Sequence, residues 1–199
     1  MAHGMAQIFI TKNNLMAQKK SLDLAKLGYD LMDRKRNILV REMMSLAQKA
    51  ATIQKDISAA YVQAYDALEK AFITLGDCTV YAECIPVDDS VSMKLRSVMG
   101  VELPEISIEK TDRYNYYGLN EAYIQFDRVK YLTVELAQVE SNVMRLADAI
   151  KKTQKRTNAL SNIMIPKFTS TIKFISDALD EKEREDFSRL KVIKRQKTE

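Results

Sequence analysis

The sequence predicts a mostly helical protein whose N- and C-terminal arms pair as one long antiparallel two-helix coiled coil, with a small central β-hairpin region between them. Three observations predict this fold. Each end of the chain carries apolar residues at heptad spacing, the middle of the chain has a different periodicity, and helix-breaking residues are few. Because a coiled coil needs two helices with such seams, this one chain contains both of them.

The seam of the C-terminal arm alternates spacings of four and three residues, which is the a/d pattern of a coiled coil and is narrower than the stripe of an ordinary globular helix. Such a seam buries its side chains only against a partner helix. Its members are Leu132, Leu136, Val139, Val143, Leu146, Ile150, Thr153, Thr157, Leu160 and Met164.

The N-terminal arm carries the matching seam, interrupted only by Arg36, whose stem we expect to lie on the seam while its charged head reaches water. We expect its last alanines to face the bulky side chains between Phe126 and Val139, because small residues opposite large ones keep two helices close. The members are Leu22, Ala25, Tyr29, Met32, Leu39, Met43, Leu46, Ala50, Ile53, Ile57, Ala60, Ala64, Ala67 and Ala71.

Composition narrows the class of protein further. The 199 residues include three prolines, five glycines and no tryptophan, which is typical of a chain with few turns. A compact four-helix bundle would need helix breaks inside residues 12–75, where Gly28 is the one weak candidate. The net charge is +4, but acids and bases are interleaved along both arms, which argues against a nucleic-acid-binding face.

The sequence predicts neither a metal site nor a membrane span. Two cysteines and one histidine are too few for a structural zinc site, and we expect no cofactor. The chain has no run of about 18 apolar residues, and its start lacks the pattern of a signal peptide.

Local signals set the expected segments of the chain. Thr11 can cap a helix that begins at Lys12, and Gly76 can end it. The opening letters MAHG before Met5 are typical of residues added by cloning. We therefore expect an N-terminal tail (1–11), an N-terminal arm (12–76), a hairpin and loop region (77–118), a C-terminal arm (119–194) and a basic tail (195–199).

The middle segment predicts a small β-hairpin, because residues 91–95 alternate at period two and residues 98–108 are rich in β-branched side chains. The loop that follows contains Tyr114, Tyr116 and Tyr117. These tyrosines are our candidate surface for binding a partner protein, and the alternative is that they pack against the coiled coil.

One irregularity is expected in the C-terminal arm. Near Asn162 the apolar stripe shifts by one residue, and it resumes at Ile165. Pro166 stands at this shift and lacks a backbone donor, so we expect a bend or a break in the helix there.

Several short motifs mark the two arms and the middle. They are Lys155-Arg156-Thr157-Asn158-Ala159-Leu160, Ile165-Pro166, Thr171-Ile172, Glu183-Arg184-Glu185, Thr11-Lys12 with Lys35-Arg36, and Val98-Met99-Gly100-Val101 with Pro104. This series, which spans nearly the whole chain, resembles the D subunit of the V-type (A/V-type) ATPases. Two positions depart from the family pattern: Ile10 stands where a proline is common, and Thr157 where a valine is usual.

The resemblance implies a protein of the central stalk, a rotor axle that transmits torque between the catalytic hexamer and the ion-translocating membrane ring. It implies a non-catalytic protein without bound nucleotide, on the cytoplasmic side and peripheral to the membrane, with no direct membrane insertion. The implied partners are the F subunit of the rotor, the catalytic and noncatalytic nucleotide-binding A and B subunits, and the C (d) subunit, which forms the socket above the membrane ring.

An axle must turn in its bearing, so its surface should carry weak, exchangeable charge contacts. We take charged positions of both arms as candidate bearing contacts, and the alternative for any one of them is an ordinary solvent-exposed charge. The candidates are Arg34, Lys35, Arg36, Lys155, Arg156, Glu181, Glu183 and Arg184.

The main alternative function is a free-standing antiparallel coiled-coil adaptor that binds an acidic membrane or nucleic-acid surface through Lys151, Lys152, Lys155 and Arg156. That function requires one basic face, whereas acidic residues intrude on both arms. The sequence contains no glycine-rich phosphate loop and no nucleophile with a histidine partner, which argues against an enzyme.

Overall fold

The structure is a computed structural model that describes residues 9–85, 87–109 and 118–197. It divides into two compact units. The terminal unit comprises Met1–Arg36 and Lys152–Glu199, and the central unit comprises Asn37–Lys151. The elements in chain order are α1 (Lys12–Leu75), α2 (Thr79–Glu83), β1 (Val91–Val98), β2 (Val101–Ile108), α3 (Asn120–Ala159), a π-helical turn (Leu160–Met164) and α4 (Ile165–Gln196). A long helix towards each end with a hairpin between them is the predicted fold class, which is therefore confirmed.

Both ends of α1 use the predicted residues. The Asn14 backbone N–H donates to the Thr11 hydroxyl oxygen at 3.2 Å, which makes Thr11 the N-cap. At the other end, Gly76 has a φ of 75°, and its N–H donates to the Phe72 carbonyl at 2.9 Å. A glycine takes this left-handed conformation at little cost, so the helix ends here.

In the central unit α1 and α3 pack antiparallel along the predicted seams. Ala60 and Ala64 are buried with Val129, and Phe126 and Leu132 pack against this cluster, as predicted. Because α1 and α3 are antiparallel, the bulky residues that come later in α3 lie opposite an earlier part of α1. There they pack on isoleucines instead of alanines.

The clusters at either side of this alanine region show that direction. Val139 is buried with Ile53 and Ile57. Further along α1, Ala67 and Ala71 are buried with Cys78, Leu119 and Ala122, which all lie outside the bulky stretch of α3. The expectation that all the alanines face bulky side chains therefore holds only for the first pair.

The hairpin forms where the period-two pattern predicts it. Strands β1 and β2 pair antiparallel from Val98↔Val101 to Val91↔Ile108. The two residues between them, Met99 and Gly100, both have positive φ, at 52° and 75°. Two consecutive positive φ angles match the right-handed twist of the paired strands.

Strand β2 holds the hairpin on the helices. Leu103 is 4% exposed and is buried together with Leu39 and Leu146, both of which are fully buried. The Ile106 backbone N–H donates to the Gln138 side-chain oxygen at 2.9 Å. Strand β1 is exposed along nearly its whole length, so the hairpin contacts the helices mainly through β2.

The terminal unit contains the expected irregularity in a different form. The Ile165 N–H donates to the Leu160 carbonyl, five residues back, and the chain stays helical across Pro166. A π-helical turn contains one more residue than an α-helical turn, so it absorbs the one-residue shift of the apolar stripe. The helix therefore continues through the position where we expected a bend or a break.

Candidate bearing and partner surfaces

All eight candidate bearing residues lie in the terminal unit, on helices α1, α3 and α4. Six of them are exposed, because they lie on the outward faces of their helices while seam residues such as Thr153 and Thr157 are buried. The exposed candidates are Arg34, Lys155, Arg156, Glu181, Glu183 and Arg184.

One ion pair of this surface joins two helices. The Lys12 ammonium on α1 lies 2.9 Å from the Glu183 carboxylate on α4, and the two side chains are 76% and 64% exposed. The hydrogen bond and the charge of Glu183 raise the pKa of Lys12 above its usual value. A pair this exposed contributes little to stability and is screened by salt.

Two further ion pairs of α4 lie within the helix. Arg184 is 3.7 Å from Glu181, and Arg189 is 3.7 Å from Glu185. These pairs are long, and all four side chains are more than half exposed. Such charges can exchange partners at little free-energy cost, as a surface that moves against a neighbour requires.

Arg36 differs from the other candidates. Its side chain is 28% exposed, and one guanidinium nitrogen lies 2.6 Å from the Asp33 carboxylate. Another donates to the Gln154 side-chain oxygen at 2.8 Å. We expected the head of Arg36 to reach water, but it is bonded to residues of both helices, because Asp33 and Gln154 lie next to the seam.

The partner-surface tyrosines, Tyr114, Tyr116 and Tyr117, lie outside the described residues. The structure shows another aromatic surface, in the central unit. Tyr61 stacks on Tyr65 with ring centroids 6.1 Å apart, and Tyr65 meets Phe126 edge to face at 5.7 Å.

Sequence analysis missed this aromatic surface, although a signal was present. Tyr61 and Tyr65 each follow a seam alanine, so a second apolar stripe runs beside the first along α1. Tyr65 is 59% exposed and Phe72, on the same stripe, is 46% exposed. Exposed aromatic side chains of this kind are enriched at protein interfaces.

An open cavity of about 450 Å³ adjoins the aromatic surface. Its walls are mainly apolar, from Leu68, Ala82, Ile85, Leu119, Ala122, Tyr123 and Phe126. At its polar end the Lys130 ammonium lies 2.7 Å from both Asp88 and Asp127. Partial burial by itself lowers the pKa of Lys130, but the hydrogen bonds and charges of Asp127 and Asp88 outweigh burial and raise it. Lys130 thereby ties the segment before β1 to α3.

The last part of α4 exposes apolar side chains among its charges. Phe187, Leu190 and Ile193 follow one another at three-residue spacing and are 61%, 64% and 52% exposed. In the part of the chain that the structure describes, three or more histidine, cysteine or acidic side chains nowhere group so that they could hold a metal ion. Over the same residues, every helix is too short or too polar to cross a membrane.

Comparisons with known proteins agree with one another. Residues 14–195 match the family model described as the D subunit of ATP synthase. The D subunit of a V-type ATP synthase from Thermotoga neapolitana is 42% identical over 193 residues, which cover 92% of this chain and 95% of the relative. The D subunits of the A-type ATP synthases from Pyrococcus abyssi and Methanobrevibacter smithii are 33% and 34% identical, over 92% of this chain and 92% and 85% of theirs.

Proposed function

The chain belongs to the family of ATP synthase D subunits, and from that premise we propose that it forms the central stalk of a rotary ATPase. It is the non-catalytic axle that transmits torque between the nucleotide-binding hexamer and the ion-translocating membrane ring, peripheral to the membrane on its cytoplasmic side. The observation that carries this proposal is the antiparallel pairing of helices from the two ends of the chain, seen within each unit.

Paired helices supply what an axle needs. In the central unit, fully buried Leu39 and Leu146 pack together with Leu103, so bending would have to break close packing. The two arms differ in sequence at every level, which makes the surface asymmetric. An asymmetric axle favours a different conformation at each of several identical catalytic interfaces as it turns.

We assign the charged surface of the terminal unit to the bearing formed by the A and B subunits. Its exposed ion pairs, such as Lys12 with Glu183, are weak enough to exchange during rotation. We assign the aromatic surface of Tyr61, Tyr65 and Phe126 in the central unit to the remaining partners, the F subunit of the rotor and the C (d) subunit of the socket. Its two exposed tyrosine rings would be desolvated when a partner binds, as the anchors of a stable contact between proteins are.

Rotation of the chain within an assembled complex tests the proposal directly. Cys84 is exposed and Cys78 is buried, so a bead can be attached through Cys84 without altering the sequence. With the A and B subunits fixed to a surface, ATP should drive stepwise rotation of the bead in one direction. A complex that hydrolyses ATP while the bead stays still would overturn the axle function, and an identical bead on one of the fixed B subunits is the control.

The bearing assignment has its own test. Replacing Arg34 and Arg156 by alanine should change the torque or the hydrolysis rate of the complex and leave the folding of the chain unaltered, because both side chains are exposed. Lys49, exposed in the central unit, provides the matched control as Lys49→Ala. Equal effects of the arginine and lysine variants would count against a bearing role for the arginines.

A further inference from the structure

Four polar side chains form one hydrogen-bonded series between α1 and α3 in the terminal unit. Asp33 and Arg36 of α1 are joined at 2.6 Å, and Arg36 donates to the Gln154 side-chain oxygen of α3 at 2.8 Å. The Gln154 side-chain nitrogen then donates to the Asn158 side-chain oxygen at 2.8 Å. These hydrogen bonds lie at the level where Arg36 stands in place of an apolar residue of the seam. We name these four residues the polar layer.

The polar layer has a defined direction. Asp33 offers only acceptors and Arg36 only donors, so Gln154 must turn its oxygen to Arg36 and its nitrogen to Asn158. Each group therefore has its complementary partner, and the partially buried guanidinium is bonded on both sides. This match exists for one relative position of α1 and α3.

We propose that the polar layer sets the axial register of α1 against α3 in the terminal unit. A heptad seam repeats every seven residues, so a slip of one heptad within the terminal unit again places seam residues opposite seam residues. The same slip would carry the guanidinium of Arg36 about 10 Å along α3, away from Gln154. The slipped state would leave the half-buried guanidinium bonded to Asp33 but without Gln154, its acceptor on α3, which makes that state unfavourable.

Two other polar contacts nearby carry less of this information. Thr153 and Thr157 are buried on α3, but the Thr157 hydroxyl donates to the Thr153 carbonyl of its own helix at 3.0 Å. The Lys12–Glu183 pair does cross between helices, but both of its side chains are mostly exposed. An exposed pair between flexible side chains follows a slip more easily than a half-buried guanidinium does.

A register function predicts an unusual effect of apolar substitutions. Replacing polar side chains in a seam by apolar ones of similar size commonly stabilises the paired helices, while the specificity of pairing falls. The double variant R36L/Q154L should therefore melt at the same temperature as the parent or higher, by up to roughly 10 °C. It should nevertheless populate more than one register.

Distances between spin labels read the register directly. In the full chain with Cys78→Ala and Cys84→Ser, labels at Lys26→Cys on α1 and Lys152→Cys on α3 lie on exposed positions of the terminal unit. These positions are offset along the helix axis, so a slip of one heptad changes their separation by several ångströms in either direction. The parent should give one narrow distance distribution, and R36L/Q154L should add a second.

A matched control and two further variants complete the test. Arg34→Leu with Lys155→Leu makes the same kind of change on exposed positions of the same helices, and it should keep the single distance of the parent. Gln154→Glu keeps an acceptor for Arg36 and should also keep one distance. Gln154→Leu alone leaves Arg36 without that acceptor, so it should melt below the double variant.

The results divide cleanly. A second distance in R36L/Q154L, absent from the exposed control, supports the register function. A single parental distance in R36L/Q154L would overturn it, and so would the loss of folding in the double variant while Gln154→Leu stays folded. These measurements do not require the partner proteins of the complex, so they test the register function independently of the axle function.

Discussion

Replacing Ala64 by leucine should destabilise the chain by forcing the helices of the central unit apart. Ala64 is fully buried on α1 and packs with Ala60 and Val129. Leucine adds three carbon atoms at a level where α1 is buried against Val129 of α3, and Ala64 does not line the neighbouring cavity of about 450 Å³. The added volume can be accommodated only by strained rotamers or by separation of the helices.

The size of the effect follows from that packing. Overpacking a well-filled core costs about 1–3 kcal/mol. For a chain of this size each kcal/mol lowers the melting temperature by about 2–4 °C, so the expected decrease is roughly 2–12 °C. Helix propensity contributes little to this effect, because leucine is nearly as good a helix former as alanine.

Ala59→Leu is the matched control, since Ala59 is exposed on the same helix and undergoes the same chemical change. It should alter the free energy of unfolding by no more than about 0.5 kcal/mol. Thermal and chemical unfolding followed by circular dichroism would measure both variants. If Ala64→Leu were as stable as Ala59→Leu, the alanine seam would not be closely packed, and our description of the helix pairing would be wrong.

Three other predictions concern the central unit. Leu103→Ala should lower the free energy of unfolding by about 2–5 kcal/mol, because Leu103 is 4% exposed. Leu95 is 58% exposed, so chemical denaturation should show a much smaller effect for Leu95→Ala. Asn142→Leu should raise the free energy of unfolding by about 1–2 kcal/mol, since the Asn142 side-chain oxygen is buried without a hydrogen-bond partner, and a lower unfolding midpoint would contradict this account. Lys130→Met should destabilise the chain by about 1–3 kcal/mol at neutral pH, because it leaves Asp88 and Asp127 without their shared cation. The pKa of Lys130 is raised by folding, so its contribution to stability is present below the ordinary lysine pKa and is lost only as the pH rises through the raised value. In chemical denaturation the free energies of unfolding of the parent and Lys130→Met should therefore differ by the same amount from pH 7 to pH 9. A difference that vanished within this range would exclude the ion pairs as its cause.

The sequence alone determined the two long arms and the hairpin of this fold, because their signals are local or periodic, but it did not predict the short helix α2 (Thr79–Glu83). Heptad spacing identified both arms, Thr11 and Gly76 identified the ends of α1, and period-two alternation identified the hairpin. The one-residue shift of the stripe near Asn162 was also visible, although we expected a bend or a break where the helix forms a π-helical turn. The apolar pattern shows that one residue is inserted in the helix, whereas the backbone geometry that accommodates this residue depends on packing.

The tertiary structure alone decided which side chains meet. No local signal states that Arg36 bonds to Gln154, 118 positions away, or that Leu103 of the hairpin is buried between Leu39 and Leu146. These contacts depend on the register of two helices, and a repeating apolar seam leaves that register open by multiples of seven residues. The bearing candidates were identifiable as charged, and six of the eight are exposed, but their pairing across helices required both helices to be in place.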